Sequence, residues 1–184
     1  MNSRVERLLP GDLDESQREL YDRITGGERK NQPFAMVDAA GRLQGPFDAM
    51  LRGGAPGAAL ERLGAALRFD AALEPLDREV ATLRVGGHWA SRFEVHAHRA
   101  VSVSAGLLTD EEVDAIVRVD RPWGEGRLGV LVALVDALVL ERDVDDALYG
   151  SAREAYSERQ LVEACLIVGY YATLAALMKT FAHD

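Results

Sequence analysis

The chain has 184 residues, of which 48% are hydrophobic and 28% are charged, a composition typical of one soluble domain rather than of a disordered or membrane-embedded chain. Its 21 basic and 30 acidic residues give a formal net charge of −9 without a basic block, which disfavours sequence-independent binding to nucleic acid. The single cysteine, Cys165, excludes an internal disulfide and fits a reducing compartment.

The N-terminal segment MNSRVERLLPGDLDESQREL carries acidic residues and no apolar stretch of signal-peptide length, so we expect a cytoplasmic protein. A first helix is predicted over residues 13–25, followed by an irregular segment, punctuated by glycine and proline, that runs to residue 46. We therefore divide the chain into an N-terminal helix and extended arm, residues 1–44, and a helical domain, residues 45–184. The arm is expected to cover a pocket or to cross to a neighbouring subunit.

Apolar residues at helical spacing continue to the C-terminus, and no segment alternates between apolar and polar residues as a strand would. A short helix is predicted over residues 47–52 and a longer one over 56–69. Another is predicted to begin at Pro75, because the N–H that proline lacks has no hydrogen-bond partner in the first turn of a helix. Further helix starts are predicted where an N-cap hydroxyl is followed three residues later by Glu or Gln, at Ser91 with Glu94, Thr109 with Glu112, and Ser157 with Gln160. The predicted fold class is all-α.

Two of the predicted helices, over residues 126–144 and 164–178, are apolar around almost their whole circumference. The second has 15 residues without a charge, fewer than the roughly 18 expected of a membrane span, so we expect a buried core helix and no membrane partner. Cys165 is expected to be a small buried hydrophobic residue within it. Because a chain of this size can hardly cover two such helices, we predict a homo-oligomer whose interface completes their burial.

Three of the four histidines, His88, His96 and His98, lie within eleven positions. On a helix that starts near residue 91, Glu94 and His98 are one turn apart and can hydrogen-bond. They border a predicted apolar stripe that consists of Phe93, Ala97, Ala100, Val101 and Ser104. His96 points away from both, and His88 belongs to the preceding segment. Because the three imidazoles do not converge and no HExxH motif is present, no metal site is predicted.

Glu79, on the preceding helix, lies between Leu76 and Leu83 and also borders a buried face. Two carboxylates and one imidazole at the edge of a helical core form a candidate acid–base cluster, because partial burial raises the pKa of a carboxylic acid toward neutrality. A structural interpretation stays open beside it. Glu94 could act only as a helix cap, Glu79 as a first-turn acid favoured by the helix dipole, and His98 as a boundary histidine.

Residues 76–116, LDREVATLRVGGHWASRFEVHAHRAVSVSAGLLTDEEVDAI, resemble the core of the carboxymuconolactone decarboxylase family, which includes the alkyl hydroperoxidase D-like proteins. GPFDAMLR at 45–52 and QLVEACLIVGYYATLAALMKTF at 160–181 are similar to the first segment and the closing helix of its longer members. Together these segments cover most of residues 45–181. The resemblance implies an alkyl hydroperoxidase D-like helical bundle that assembles into homo-trimers or homo-hexamers.

In the peroxidase branch of that family, a glutamate, a CxxC pair and a histidine act together. The resemblance places the glutamate at Glu79 and the histidine at His98, whereas the cysteine positions are occupied by Ser91 and Glu94. Peroxide reduction in that branch needs a thiolate nucleophile and a resolving thiol. We therefore expect that the chain is not a CxxC peroxidase.

The decarboxylase branch lacks the cysteines. The resemblance of this chain to that branch implies loss of CO₂ from a small carboxylated lactone or ring without a cofactor. The electron pair left behind spreads toward the lactone carbonyl, and protonation completes the reaction. In this scheme His98 donates or shuttles the proton, Glu79 orients it, and Glu94 is a second relay or only the helix cap.

Contacts to the anionic substrate are assigned more weakly, to His96, His88 and Arg92. Trp89 is either a further substrate contact or a core aromatic residue. A hydroperoxide-related or isomerase reaction on the same scaffold stays open as an alternative, as does a helical oligomer that only binds its ligand.

Overall fold

The computed structural model describes residues 4–26, 30 and 32–182. Within these residues it contains helices and no strand, only an isolated antiparallel bridge between Val37 and Leu43. The all-α prediction is therefore confirmed. The helices are α1 (Glu15–Gly26), α2 (Phe47–Arg52), α3 (Gly54–Phe69), α4 (Pro75–His88), α5 (Arg92–Ser104), α6 (Asp110–Ile116), α7 (Gly126–Asp136), α8 (Asp146–Ala155) and α9 (Glu158–Phe181).

The predicted helix boundaries agree with the structure at most positions. Both hydrogen bonds of the capping box form at Thr109, before α6, and at Ser157, before α9. Ser91 is the N-cap of α5, but its side chain accepts no capping hydrogen bond, so the capping box predicted there is wrong. The helix predicted over 126–144 is also shorter, because α7 continues only as a π-helical turn and then meets Arg142 in the left-handed conformation at φ 60°.

Helix α4 lies at the centre of the molecule, in contact with α5, α6, α7 and α9. Nine of its 14 residues are buried, including charged residues as well as aliphatic ones. Burying an unpaired charge is costly, so each charged side chain on this helix needs a partner nearby. The central position of α4 therefore brings paired acidic and basic groups into the interior of the protein.

The N-terminal arm packs against its own chain. Leu20 and Ile24 of α1 belong to the same core cluster as residues of α4, α7 and α9. The buried carboxylate of Asp48 accepts a hydrogen bond from the backbone N–H of Leu8 at 2.7 Å. The hydroxyl of Tyr21 donates to the carbonyl of Gly41 at 2.8 Å. These contacts fix the arm over α2 and α3 and close that side of the core.

The chain alone buries only one side of helix α9, so the complete cover predicted from a homo-oligomer interface stays a prediction. The inner side of α9 packs in the core, whereas Val162 and Leu166 on its outer side are 58% and 43% exposed. Cys165 lies on the same outer side and is exposed, so its predicted burial is wrong. Among the described residues, α9 alone is long and apolar enough to span a membrane. The core helix of a soluble protein satisfies the same criteria of length and composition.

Helices α3 and α9 approach each other closely at Gly64. A Cβ atom at this position would lie 2.0 Å from the hydroxyl oxygen of Tyr170, so Gly64→Ala requires the tyrosine to move. We expect Gly64→Ala to reduce the free energy of unfolding by about 1–3 kcal/mol, measured by urea denaturation. Gly169→Ala is the matched control, because no atom lies within 4 Å of its Cβ position. It should stabilise α9 by about 0.5–1 kcal/mol, and a Gly64→Ala protein as stable as the wild type would contradict the close contact.

Candidate acid–base site

A tight turn between α4 and α5 positions the candidate site. Ala90 adopts the left-handed conformation at φ 46°, and the N–H of Ser91 donates to the carbonyl of Gly86 at 2.9 Å. Gly87 allows this turn to pack against the end of α6, since a Cβ there would lie 2.5 Å from the carbonyl oxygen of Val117. The chain reverses over three residues, so α5 returns along α4 and faces Glu79.

The structure brings Glu79 and His98 into direct contact. His98 Nδ1 lies 2.8 Å from Glu79 Oε2, and the hydroxyl of Ser102 donates to the same oxygen at 3.2 Å. The Ser102 hydroxyl also lies 2.6 Å from the carbonyl oxygen of His98, one turn before it on α5. All three residues are less than a tenth exposed. The pair is therefore a rigid, largely desolvated carboxylate–imidazole dyad.

The carboxylate of Glu79 is held in its ionised form. Burial raises its pKa, but the His98 ring, Arg68 and the Ser102 hydroxyl outweigh that effect and hold the pKa below the usual value. An ionised carboxylate can only accept hydrogen bonds, so Nδ1 of His98 carries the hydrogen in this contact. Nε2 is then the nitrogen that can exchange a proton with another group.

Glu94 lies on the other side of the same imidazole. Its Oε2 is 3.7 Å from His98 Nε2, which is within ion-pair range but longer than a hydrogen bond. The side chain is almost completely buried, at 3% exposure. His98 is thus flanked by two carboxylates, and the nitrogen that is available for proton transfer faces Glu94.

The buried face of α5 differs from the predicted apolar stripe. Its buried residues are Glu94, Ala97, His98 and Ser102, whereas Phe93, Ala100 and Val101 are only partly buried and Ser104 is exposed. Glu94 and His98 therefore occupy the middle of the packed face and not its border. Polar side chains in this position are stable only because they pair with one another and with Glu79.

Tyr171 of α9 completes the surroundings of the imidazole. Its ring contacts the His98 ring edge to face, with centroids 5.1 Å apart, and contacts the Tyr170 ring in the same way at 5.0 Å. Burial, and after it the nearby carboxylate of Glu94, raises the pKa of the Tyr171 hydroxyl well above its ordinary value. The hydroxyl therefore stays protonated near neutral pH and can donate a hydrogen bond.

Two predicted substrate contacts, Arg92 and His96, lie together on a different face of α5. Both are exposed and line a cavity of about 490 Å³ beside the α4–α5 turn. Ser91 lines the same cavity and is itself buried. The cavity adjoins the face of α5 that carries Glu94, but His98 and Glu79 are not among its lining residues.

His88 lies in a separate cluster at the C-terminal end of α4. Its Nε2 lies 2.6 Å from Asp136 Oδ1 of α7, and that carboxylate is also bound by the guanidinium of Arg84. The structure therefore places His88 beside an ion pair between helices and not beside His98. Trp89, the next residue, is partly buried and packs against the hydrophobic core.

The structure adds residues that the sequence did not assign to the site. Ser102 follows His98 by one helical turn, a spacing that could have indicated a shared face. Tyr171 comes from α9, and nothing in its local sequence predicts contact with α5. Among the residues that the structure describes, no group of three or more His, Cys, Asp or Glu side chains has the arrangement of a metal site.

No protein-family model matches the chain, and no curated protein matches its sequence. Solved structures do match its fold. An uncharacterised peroxidase-related protein from a Silicibacter species has a TM-score of 0.74 at 14% identity, over 99% of this chain and 91% of that one. A putative antioxidant defence protein AhpD from Agrobacterium tumefaciens has a TM-score of 0.63 at 18% identity, over 71% of this chain and 90% of that one.

A third match is a debrominase variant in which one cysteine is replaced by alanine, in complex with tribromopyrrole. Its TM-score is 0.73 at 12% identity, and the match covers 100% of this chain and 92% of the debrominase. At such low identities, the likeness is one of fold. The chain has the all-helical fold of the alkyl hydroperoxidase D-like proteins.

Proposed function

We propose that this chain, on its alkyl hydroperoxidase D-like fold, is a cofactor-independent acid–base enzyme that decarboxylates a small carboxylated lactone or ring. The observation that carries the proposal is the buried imidazole of His98, which lies between the carboxyl groups of Glu79 and Glu94. Such an arrangement fixes the tautomer of the imidazole and leaves its second nitrogen, Nε2, for proton transfer, as general acid–base catalysis requires.

The reaction can be written with these groups alone. The bond between the ring carbon and the carboxylate carbon breaks, CO₂ leaves, and the electron pair passes into the ring toward the lactone carbonyl as an enolate. Protonated Nε2 of His98 then transfers its proton to the ring carbon. Glu79 stabilises the imidazolium before the transfer and keeps the ring oriented after it. Each turnover consumes one proton from solvent, and Glu94, opposite Nε2, relays this proton to His98 for the next cycle.

A thiol-based reaction fits this chain poorly, although peroxidase-related proteins share its fold. Ser91 and Glu94 stand at the positions of the CxxC cysteines, and neither can form a disulfide. Cys165 is on the exposed outer side of α9, where partial desolvation of the thiol by its neighbours raises its pKa and so lowers its thiolate fraction. A hydroperoxide-related reaction without thiol chemistry is the alternative, and a peroxide-consumption assay with and without added thiol tests it.

The decarboxylase proposal is tested by incubating the wild-type protein with a panel of lactone acids, including carboxymuconolactone. We expect release of CO₂, followed by infrared or coupled detection, and incorporation of one solvent deuterium into the product in D₂O. Proton transfer from His98 accounts for the deuterium. Absence of CO₂ release and of deuterium exchange with every lactone acid in the panel would contradict the proposal.

A homo-oligomer, trimeric or hexameric, forms part of the proposal. An apolar groove of about 350 Å³ runs between α7, α8 and α9, and Val162, Leu166 and Tyr149 expose large hydrophobic surfaces there. A second copy of the chain would cover this surface, whose exposure is unfavourable in water. Light scattering at micromolar concentration is expected to give a multiple of the monomer mass, and a monomer would contradict the proposal.

A further inference from the structure

Two carboxyl groups and one imidazole form the centre of the candidate site, which matters for the anionic substrate of the proposed function. Glu79 and Glu94 both lie within 4 Å of the same imidazole. The ionised carboxylate of Glu79 repels an incoming carboxylate, and the repulsion is stronger at a buried site than in bulk water. A substrate of this class therefore needs a cation close to His98 that the dyad itself does not supply.

Helix α3 directs an arginine toward this region. Gly64 contacts the hydroxyl of Tyr170, so the side of α3 that carries Gly64 faces the tyrosine pair of α9. Arg68 follows Gly64 by four residues and thus lies on the same side of the helix, one turn further along. The ring of Tyr171 contacts both Tyr170 and His98, so this spacing places Arg68 on the side of α3 that faces the tyrosine pair.

The charge of Arg68 acts on the site residues themselves. Burial raises the pKa of the Tyr171 hydroxyl, and Arg68 opposes that rise. Burial also raises the pKa of Glu79, and Arg68 is one of the groups, after His98, that reverse the effect. The charge of Arg68 therefore acts on two groups that both contact the His98 ring.

The guanidinium of Arg68 is oriented by a neutral group. Its Nη2 donates to the side-chain carbonyl of Gln32 at 2.6 Å, in a partly buried contact between α3 and the arm. Within the described part of the chain, Arg68 forms a salt bridge with no carboxylate. An amide fixes the direction of a guanidinium but does not neutralise it, so the positive charge stays available to a ligand.

We propose that Arg68, oriented by Gln32, binds the carboxylate group of the substrate at the His98 site. This inference rests on the proposed function for the reaction, but it concerns a binding site that can be tested without turnover. Arginine suits the role because its planar guanidinium donates two parallel hydrogen bonds to a carboxylate. Arg68 is then a specificity-determining residue that selects acids over the corresponding esters.

The test compares two probes by isothermal titration calorimetry, γ-butyrolactone γ-carboxylate and its methyl ester. We expect the wild-type protein to bind the carboxylate more tightly than the ester. Arg68→Gln should weaken carboxylate binding by about ten- to hundredfold, as expected for loss of a charged hydrogen bond, and leave ester binding unchanged. The carboxylate affinity of Arg68→Lys should lie between those of the wild type and Arg68→Gln, because lysine keeps the charge but cannot donate two parallel hydrogen bonds.

Arg62→Gln is the matched control, since Arg62 is an exposed arginine on the same helix that lines a cavity near α1. It should bind both probes as the wild type does. Circular dichroism and Tm of each variant verify that the fold is retained. The inference is overturned if Arg68→Gln binds the carboxylate as tightly as the wild type does. It is also overturned if the wild type does not bind the carboxylate, or binds the ester equally well.

Failure of this inference and failure of the proposed function give different results. A wild type that binds the carboxylate through Arg68 but decarboxylates no lactone acid would refute the proposed reaction and support the role of Arg68. Conversely, a wild type that releases CO₂ while Arg68→Gln binds the carboxylate normally would refute the role of Arg68 and support the reaction.

Discussion

His98→Gln is expected to lower the turnover number by about two to four orders of magnitude, the range typical of a lost general acid. Glutamine can still donate a hydrogen bond toward Glu79, but it cannot carry and release a proton near neutral pH. Turnover is measured as the initial rate of CO₂ release on the best substrate from the lactone-acid panel. An unchanged turnover number would remove His98 from the mechanism.

The neighbouring residues make this result specific. Glu79→Gln should lower turnover less than His98→Gln does, because it leaves the imidazole in place and removes only the charge that stabilises its protonated form. Binding of γ-butyrolactone γ-carboxylate should survive in His98→Gln, since the carboxylate is assigned to Arg68. A loss of both binding and Tm in His98→Gln would instead indicate that the dyad is structural.

Arg84→Met is expected to reduce the free energy of unfolding by about 3 kcal/mol. This value is at the lower end of the range observed when one partner of a buried ion pair is removed. The guanidinium is 1% exposed and uses all of its donors. It binds both oxygens of Asp136, at 2.6 and 2.7 Å, and the carbonyls of Ile116, Arg118 and Arg121. Methionine fills part of the volume but removes all five of these hydrogen bonds, and, in the part of the chain that the structure describes, only Oδ1 of the two Asp136 oxygens keeps a neighbour, Nε2 of His88.

Differential scanning fluorimetry should detect this loss as a fall in Tm of about 6–12 °C. Arg99→Met is the control, because its partners Asp110 and Asp114 are 62% and 59% exposed. Breaking such surface pairs should cost about 1 kcal/mol or less. Similar Tm values for Arg84→Met and Arg99→Met would contradict a structural role for the buried cluster.

Local patterns in the sequence predicted the helices well. The capping boxes at Thr109 and Ser157 are set by four consecutive residues, so no distant contact is needed to recognise them. The spacing of Glu94 and His98 on one helix was equally readable, because it follows from the helical repeat alone. The contact of His98 with Glu79 could be predicted only if α4 and α5 are antiparallel. The short turn between the two helices favours that arrangement.

Contacts between distant segments could not be predicted in the same way. Tyr171 contacts His98 from α9, and Arg68, which we assign to the site, belongs to α3; only the packing of the helices brings these segments close to α5. The exposure of Cys165 was missed for a related reason. An apolar run indicates that a helix is covered, but it does not distinguish cover by the same chain from cover by another copy.

The acid–base residues Glu79, Glu94, His98 and Ser102 all lie within one continuous segment, the hairpin of α4 and α5. The residues assigned to ligand recognition, Arg68 and Gln32, come from outside that segment. Changes in the arm or in α3 can therefore alter which acid is accepted while the proton-transfer hairpin stays intact. Reaction type and substrate preference can thus diverge independently among proteins that share this architecture.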